Sequence, residues 1–133
     1  MITLTAPDGS SVKIDGKRVV RARRTISGES SNASTRVDWV MMNLVQEPID
    51  KVAPLICKEL DSFTSLTSRD GSKIWFDAKQ AVGPLPLTPS QRDGVVKSSI
   101  KLMGYRQFVT ESPAEVRSVL KKAHGDPLSD EET

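Results

Sequence analysis

The sequence is poor in the residues that most enzyme chemistry needs. Its 133 residues include one cysteine and one histidine, which excludes an intramolecular disulfide and any multi-thiolate metal site. His124, beside a predicted helix end and an acidic tail, is the only imidazole available to a Ser-His-Asp or Cys-His arrangement. No GxxxxGKS/T, GxGxxG or HExxH pattern occurs. These absences argue against an enzyme and call for neither a metal nor a cofactor. The longest apolar-rich stretch, Val37 to Val45, contains Asp38 and Asn43 and falls far short of the roughly 20 residues that span a bilayer. Met1 leads straight into ITLT, without the basic region and apolar core of a secretory signal. A cytoplasmic protein without a membrane span is the expectation.

The composition is that of an ordinary folded chain, with 37% hydrophobic and 27% charged residues. One shared core is expected, because modules of about 60 residues are only marginally stable alone. The net charge of +2 is too small to imply nucleic acid, but its distribution is uneven. Residues 1–46 hold seven Lys or Arg against four acids, while 126–133 hold four acids and no base. The latter reads as an acidic, disordered tail.

The chain repeats itself. Shifted by 62 positions, Leu4, Thr5, Asp8, Gly9, Ser10, Asp15, Lys17 and Val20 meet identical residues from Leu66 to Val82. That is eight identities in seventeen positions, where average usage gives about one. The similarity resumes at an offset of 64, with Val45 and Glu47 against Val109 and Glu111. The fold class that follows is α+β: two β-meander-plus-helix repeats, 1–61 and 62–125, forming a pseudo-two-fold β-rich core with two helices.

Each repeat opens with a predicted β-hairpin. Ile2, Leu4, Val12 and Ile14 alternate with polar residues around Asp8 and Gly9, and Asp70 and Gly71 repeat the turn. These four are structural turn residues. Lys17 to Ile26 reads as a strand, and Arg36 to Val45 as a strand pair turning near Met41 to Asn43. Met103-Gly104 reads as a tight turn between further strands. Ser112, Pro113 and Glu115 have the spacing of a capping box before a Val116, Val119, Leu120, Ala123 stripe, and Gly125 can end that helix. Its counterpart, Ile49 to Leu60, contains Pro54 and is expected to kink or restart there. Cys57 is expected as a half-buried thiol on that helix.

The segments the repeats do not share are the candidates for partner contact. Lys17, Arg18, Arg21, Arg23 and Arg24 form a basic strand that could meet phosphates or an acidic protein, or protect a sheet edge. The corresponding span, with Pro84, Pro86 and Pro89, is expected as an extended rim loop. The polar stretch Ser27 to Thr35 is expected to be mobile.

The opening Met1, Ile2, Leu4, Thr5 and Gly9, and the closing Val109, Glu111, Ser112, Glu115 and Val116, resemble the small bacterial flagellar family called FlbD or SwrD. Family members are about half this length and single, and Gln46-Glu47-Pro48 departs from their Glu-Ser. The resemblance implies a non-enzymatic cytoplasmic module acting on flagellar assembly or motor output through protein contacts. The expected partner is another protein, or a second copy of the chain. Nucleic acid, bound through the basic strand, is the second choice.

Overall fold

A computed structural model describes residues 1–26, 28–29 and 32–128. Among them it forms ten strands in antiparallel sheets and two α-helices. The first half runs β1 (Ile2–Thr5), β2 (Ser11–Ile14), a 3-10 turn (Gly16–Arg18), β3 (Arg21–Arg24), β4 (Thr35–Asp38), β5 (Met42–Val45) and α1 (Ile49–Glu59). The second runs β6 (Phe63–Thr67), β7 (Lys73–Asp77), a 3-10 turn (Ala78–Gln80), β8 (Val82–Leu85), β9 (Ser98–Leu102), β10 (Tyr105–Val109) and α2 (Pro113–Lys122), with a further 3-10 turn (Pro89–Gln91) after β8.

The halves use the same local bonds. Ser10 N–H donates to Asp8 and Ser72 N–H to Asp70, so each carboxylate braces its own hairpin turn. Gly9 and Gly71 sit at φ of +91° and +89°, which a side chain would strain. Asp15 and Asp77 each accept the amide two residues on, starting the 3-10 turns. Glu47 accepts the Thr5 amide at 2.9 Å, and Glu111 accepts the Thr67 amide at 2.9 Å. Each of these glutamates ties the end of the meander back to the first strand.

The sheets do not repeat in the same way. β1 and β2 form a two-stranded sheet, β10-β9-β8 a three-stranded one, and β5-β4-β3-β7-β6 a five-stranded one that crosses both halves. β3 pairs with β4 on one side and β7 on the other. It is therefore a central strand, and the edge-protection reading of its arginines does not hold. It is also shorter than the sequence pattern implied, because Asp15 draws residues 16–18 into a 3-10 turn.

The buried apolar residues gather into two clusters where one shared core was expected. Strand periodicity explains the division, since alternate residues face opposite sides of a sheet. Ala22, Val37 and Trp75 lie in register across one face of the five-stranded sheet and pack with α1 and the β1–β2 hairpin. Leu66, Ile74 and Phe76 take the other face, with Ile100, Val109, Val116 and Leu120. β7 thus serves both cores, and Trp75 stacks on Phe63 at 5.9 Å on the first side.

Three local expectations are corrected. α1 does not restart at Pro54 but runs as one helix through it, with the proline exposed; the Asp50 carbonyl it leaves without a donor belongs to an exposed residue, where water can take it. The Pro84 span is a strand, β8, at a sheet edge with an irregular ladder to β9 and a cis Gly83–Pro84 bond. A proline is tolerated there because an edge strand leaves one row of amides unused. At the end of α2, His124 takes the left-handed position (φ 66°), and its N–H and that of Gly125 bond back to Lys121 and Leu120. Gly125 is needed next for closeness, since a Cβ there would lie 2.8 Å from the Ala78 carbonyl.

Other expectations hold. Ser112 and Glu115 form the reciprocal capping box, and Met103 and Gly104, both at positive φ, turn β9 into β10. Cys57 is half-buried against the first core, and burial pushes its thiol pKa up. The tail departs from the expectation of disorder from Asp126 onward: its described part, to Leu128, lies against β8, where the Leu128 N–H donates to the Gly83 carbonyl at 2.7 Å; residues 129–133 lie outside the described residues. No described helix is long and apolar enough to cross a membrane.

Candidate binding groove

The basic strand is where sequence and structure part most clearly. Arg21 and Arg23 face one side of β3, in register with Asp38 and Arg36 on β4. Their charges form a continuous network. Arg21 Nε donates to Asp38 Oδ2 at 3.0 Å, and Arg36 Nε to Asp38 Oδ1 at 3.1 Å. Arg23 donates both guanidinium arms to Glu29 at 3.1 and 3.2 Å, and Arg36 approaches the same carboxylate at 3.5 Å. Arg21 and Arg23 are only 12% and 15% exposed, so three of the arginines in this region are spent on two carboxylates. Burial alone would raise the Glu29 pKa; bonds from Arg23 and the Ile26 amide, the charge of Arg23 and a bond from Arg36 outweigh it and hold the carboxyl low.

Glu29 is the residue the sequence reading missed. It lies in the stretch expected to be mobile, yet its carboxylate also accepts the Ile26 amide at 2.8 Å. The Thr25 amide and hydroxyl bond to Ser34 and Ala33 across the same stretch; Ser27, Ser30 and Ser31 lie outside the described residues. A signal existed in the alternation of Arg21, Arg23, Arg36 and Asp38, which places four charges on one face once the strands are paired.

The remaining predicted contact residues are dispersed. Lys17 and Arg18 are exposed in the first 3-10 turn, with the Arg18 guanidinium 6.0 Å from the Trp39 ring. Arg24 projects to the other face and meets Asp70 at 3.7 Å in the open. Pro84 is buried and so unavailable to a partner. Pro86 borders a hollow of about 400 Å³ with Arg92, Lys97 and Pro113, and Pro89 is exposed at the start of its 3-10 turn. β3 and β8 belong to different sheets, so the structure does not build one site from the basic and proline-rich segments.

A groove instead forms where the halves meet, around the second hairpin turn. Two hollows, of about 420 and 320 Å³, share Ser68, Asp70 and Gln107. The first has Val96 and Phe108 as apolar walls and the Gln91 and Gln107 amides as polar ones. The second runs along Arg21, Arg23 and Ile74. Arg21 also donates to the side-chain Oε1 of Gln107 at 3.4 Å, joining β3 to β10. Ion pairs stand on the rim: Arg69 with Asp93 at 2.7 Å, and Arg24 with Asp70. Asp93 is itself fixed by the Val95 and Val96 amides, which hold its carboxyl below the usual range. The Ser68 and Ser72 hydroxyls do the same, more strongly, for Asp70.

The turn dismissed as purely structural is therefore also a wall of the groove. A ligand would meet an apolar pocket, two side-chain amides and paired charges. Among the described residues, no group of three or more His, Cys, Asp or Glu side chains could hold a metal ion. The chain matches no protein-family model, no curated protein and no solved structure.

Proposed function

We propose that the protein is a non-enzymatic interaction module that binds an extended segment of a protein partner in the groove around Ser68, Asp70 and Gln107. The observation that carries this reading is the pairing of an apolar wall, Val96 and Phe108, with amide groups and a rim of opposite charges. Apolar side chains supply contact area, and amides can bond to a peptide backbone. We further infer that the halves are copies of one module, which the identical turn, cap and Thr–Glu bonds support. The resemblance to FlbD or SwrD makes flagellar assembly or motor output, in the cytoplasm, the setting in which to seek the partner.

Peptides selected by display against the folded protein provide the test, mapped by amide chemical shifts. The reading expects shifts at Ser68, Val96, Gln107 and Phe108, and loss of binding in Phe108→Ala with the fold retained. Shifts confined to the exposed β4–β5 turn, Val40 to Met42, would contradict it.

Nucleic-acid binding is the second reading, and Lys17 and Arg18, exposed together, are its remaining support in the basic strand. It predicts that single-stranded oligonucleotide affinity falls steeply with added salt and is lost in Lys17→Glu/Arg18→Glu. Affinity unchanged in that variant would exclude those residues as the site.

A further inference from the structure

The two halves are joined by one strand pair, and each half holds a version of both partners. β3, which follows the first 3-10 turn, takes β7, which precedes the second. β8 follows the second turn as β3 follows the first, with Val82 in the place of Val20, and β2 precedes the first turn as β7 precedes the second. Yet β8 pairs only with β9 and β2 only with β1 among the described strands. The molecule therefore holds an unused acceptor strand and an unused donor strand of the kinds that meet at its own centre.

β8 departs from β3 at two points. Thr25 N–H bonds to Ser34 on the β4 side, and Asp77 N–H bonds to the Val20 carbonyl from β7. The alternation of an antiparallel ladder then turns the Ala22 amide toward Trp75. Pro84 stands in the place of Ala22 and has no N–H to give. Beside it the ladder to β9 is irregular, and the Gly83 carbonyl accepts from Leu128, which belongs to the segment after α2 rather than to a strand.

We propose that β8 is a strand-acceptor edge held closed by Leu128 and Pro84, and that the occupant it excludes is β2 of a second copy of this chain. The internal pair sets the register. Arg21, Ala22 and Arg23 face Phe76, Trp75 and Ile74, so Gly83, Pro84 and Leu85 would face Ile14, Lys13 and Val12. Such a contact is head-to-tail and leaves the same two edges free on each new molecule, so it grows without closing unless the rotation forms a ring. Closing β8 stops the series at two units. The inference rests on reading the halves as copies of one module and is independent of the groove.

Leu128→Pro removes the closing N–H from the full chain without altering either core. In a Cys57→Ala background, one preparation carries Leu128→Pro with Leu85→Cys and a second carries Val12→Cys. On mild oxidation of the mixture, a disulfide between the two preparations is expected to form up to about tenfold faster than with Leu128 intact, the scale of one hydrogen bond. Adding Pro84→Ala, with the fold checked by circular dichroism, should raise the yield further and give concentration-dependent assembly in sedimentation. Cross-linking at the same rate with Leu128 intact would overturn the closed edge. Absence of cross-linking and of assembly in the folded Leu128→Pro chain, with or without Pro84→Ala, would overturn the acceptor. Cross-linking only at another register would overturn the equivalence of β8 and β3, while leaving the groove reading untouched.

Discussion

The β1–β2 and β6–β7 hairpins are written almost alike, and the molecule uses them differently. Both turn on Asp-Gly-Ser with the carboxylate bonded to the same serine. One remains a two-stranded sheet beside the first core, while the other is drawn into the five-stranded sheet and supports both cores. The difference is carried by the second strand of each. β2 reads Val12-Lys13-Ile14 and β7 reads Ile74-Trp75-Phe76. A strand apolar on one face suits an edge with one side in water; a strand apolar on both faces suits the middle of a sheet packed on both sides. Shared turn chemistry makes the hairpin, and one position, Lys13 or Trp75, decides where it goes.

The largest expected effect follows from exchanging that position. Trp75→Lys removes the ring stacked on Phe63 and leaves a cation at the first core, for a loss of about 4 kcal/mol in urea unfolding. The reciprocal Lys13→Trp is an exposed change and should stay within about 0.5 kcal/mol. Equal losses would mean that the two strands are not distinguished by their inner faces.

Glu29 comes next, because the half that contains β2 depends on it to neutralise its arginines. Glu29→Ala leaves Arg23 without a bonded carboxylate and leaves Arg36 with Asp38 alone, and should cost about 2 kcal/mol. Its pH dependence has a definite sign. The folded carboxyl is held below its ordinary value of 4.5, so its contribution is complete above that value and is lost as pH falls through the lower folded pKa. The variant should therefore lose less stability than the parent chain between neutral pH and the acid limb, as measured by thermal unfolding across that range.

The helices sharpen the comparison at a smaller scale. α2 has the Ser112 cap bonded to the Glu115 amide, whereas α1 begins at Pro48 without a side-chain cap. Ser112→Ala should cost about 1 kcal/mol, visible as a lower urea midpoint with the slope unchanged. An equal midpoint would show that the second core alone holds α2 in place.

The mildest change concerns the turns themselves. Ser68 gives Asp70 a hydroxyl bond that Ala6, in the same place, cannot give Asp8. Ala6→Ser should lower the Asp8 carboxyl pKa further in an NMR titration and leave that of Asp70 unchanged.

Much of this was readable in the sequence because it is local. The hairpin turns, the Ser112 capping box and the Met103-Gly104 turn are decided by neighbours within four residues. What could not be read depends on partners far along the chain. Arg21 looked like an exposed cation because Asp38 and Gln107, 17 and 86 residues away, come to it only when β4 and β10 fold over β3. Pro54 and Pro84 looked like breaks because their tolerance depends on which side faces water. The division into two cores depends on β7 lying between β3 and β6, a pairing that turn chemistry does not specify. The groove shares this origin, since its walls come from β3, the β6–β7 turn and β10.

The central claim, that hairpins with the same turn sequence are captured differently, is tested most directly by hydrogen exchange at two amides. The ladders turn the Lys13 N–H away from β1 and the Trp75 N–H away from β6. Beyond Trp75 lies Ala22 of β3; beyond Lys13 no described strand pairs. The account predicts that Trp75 exchanges only when the five-stranded sheet opens, at least about 100-fold more slowly than Lys13. Equal protection of the two amides in the monomeric protein would contradict it.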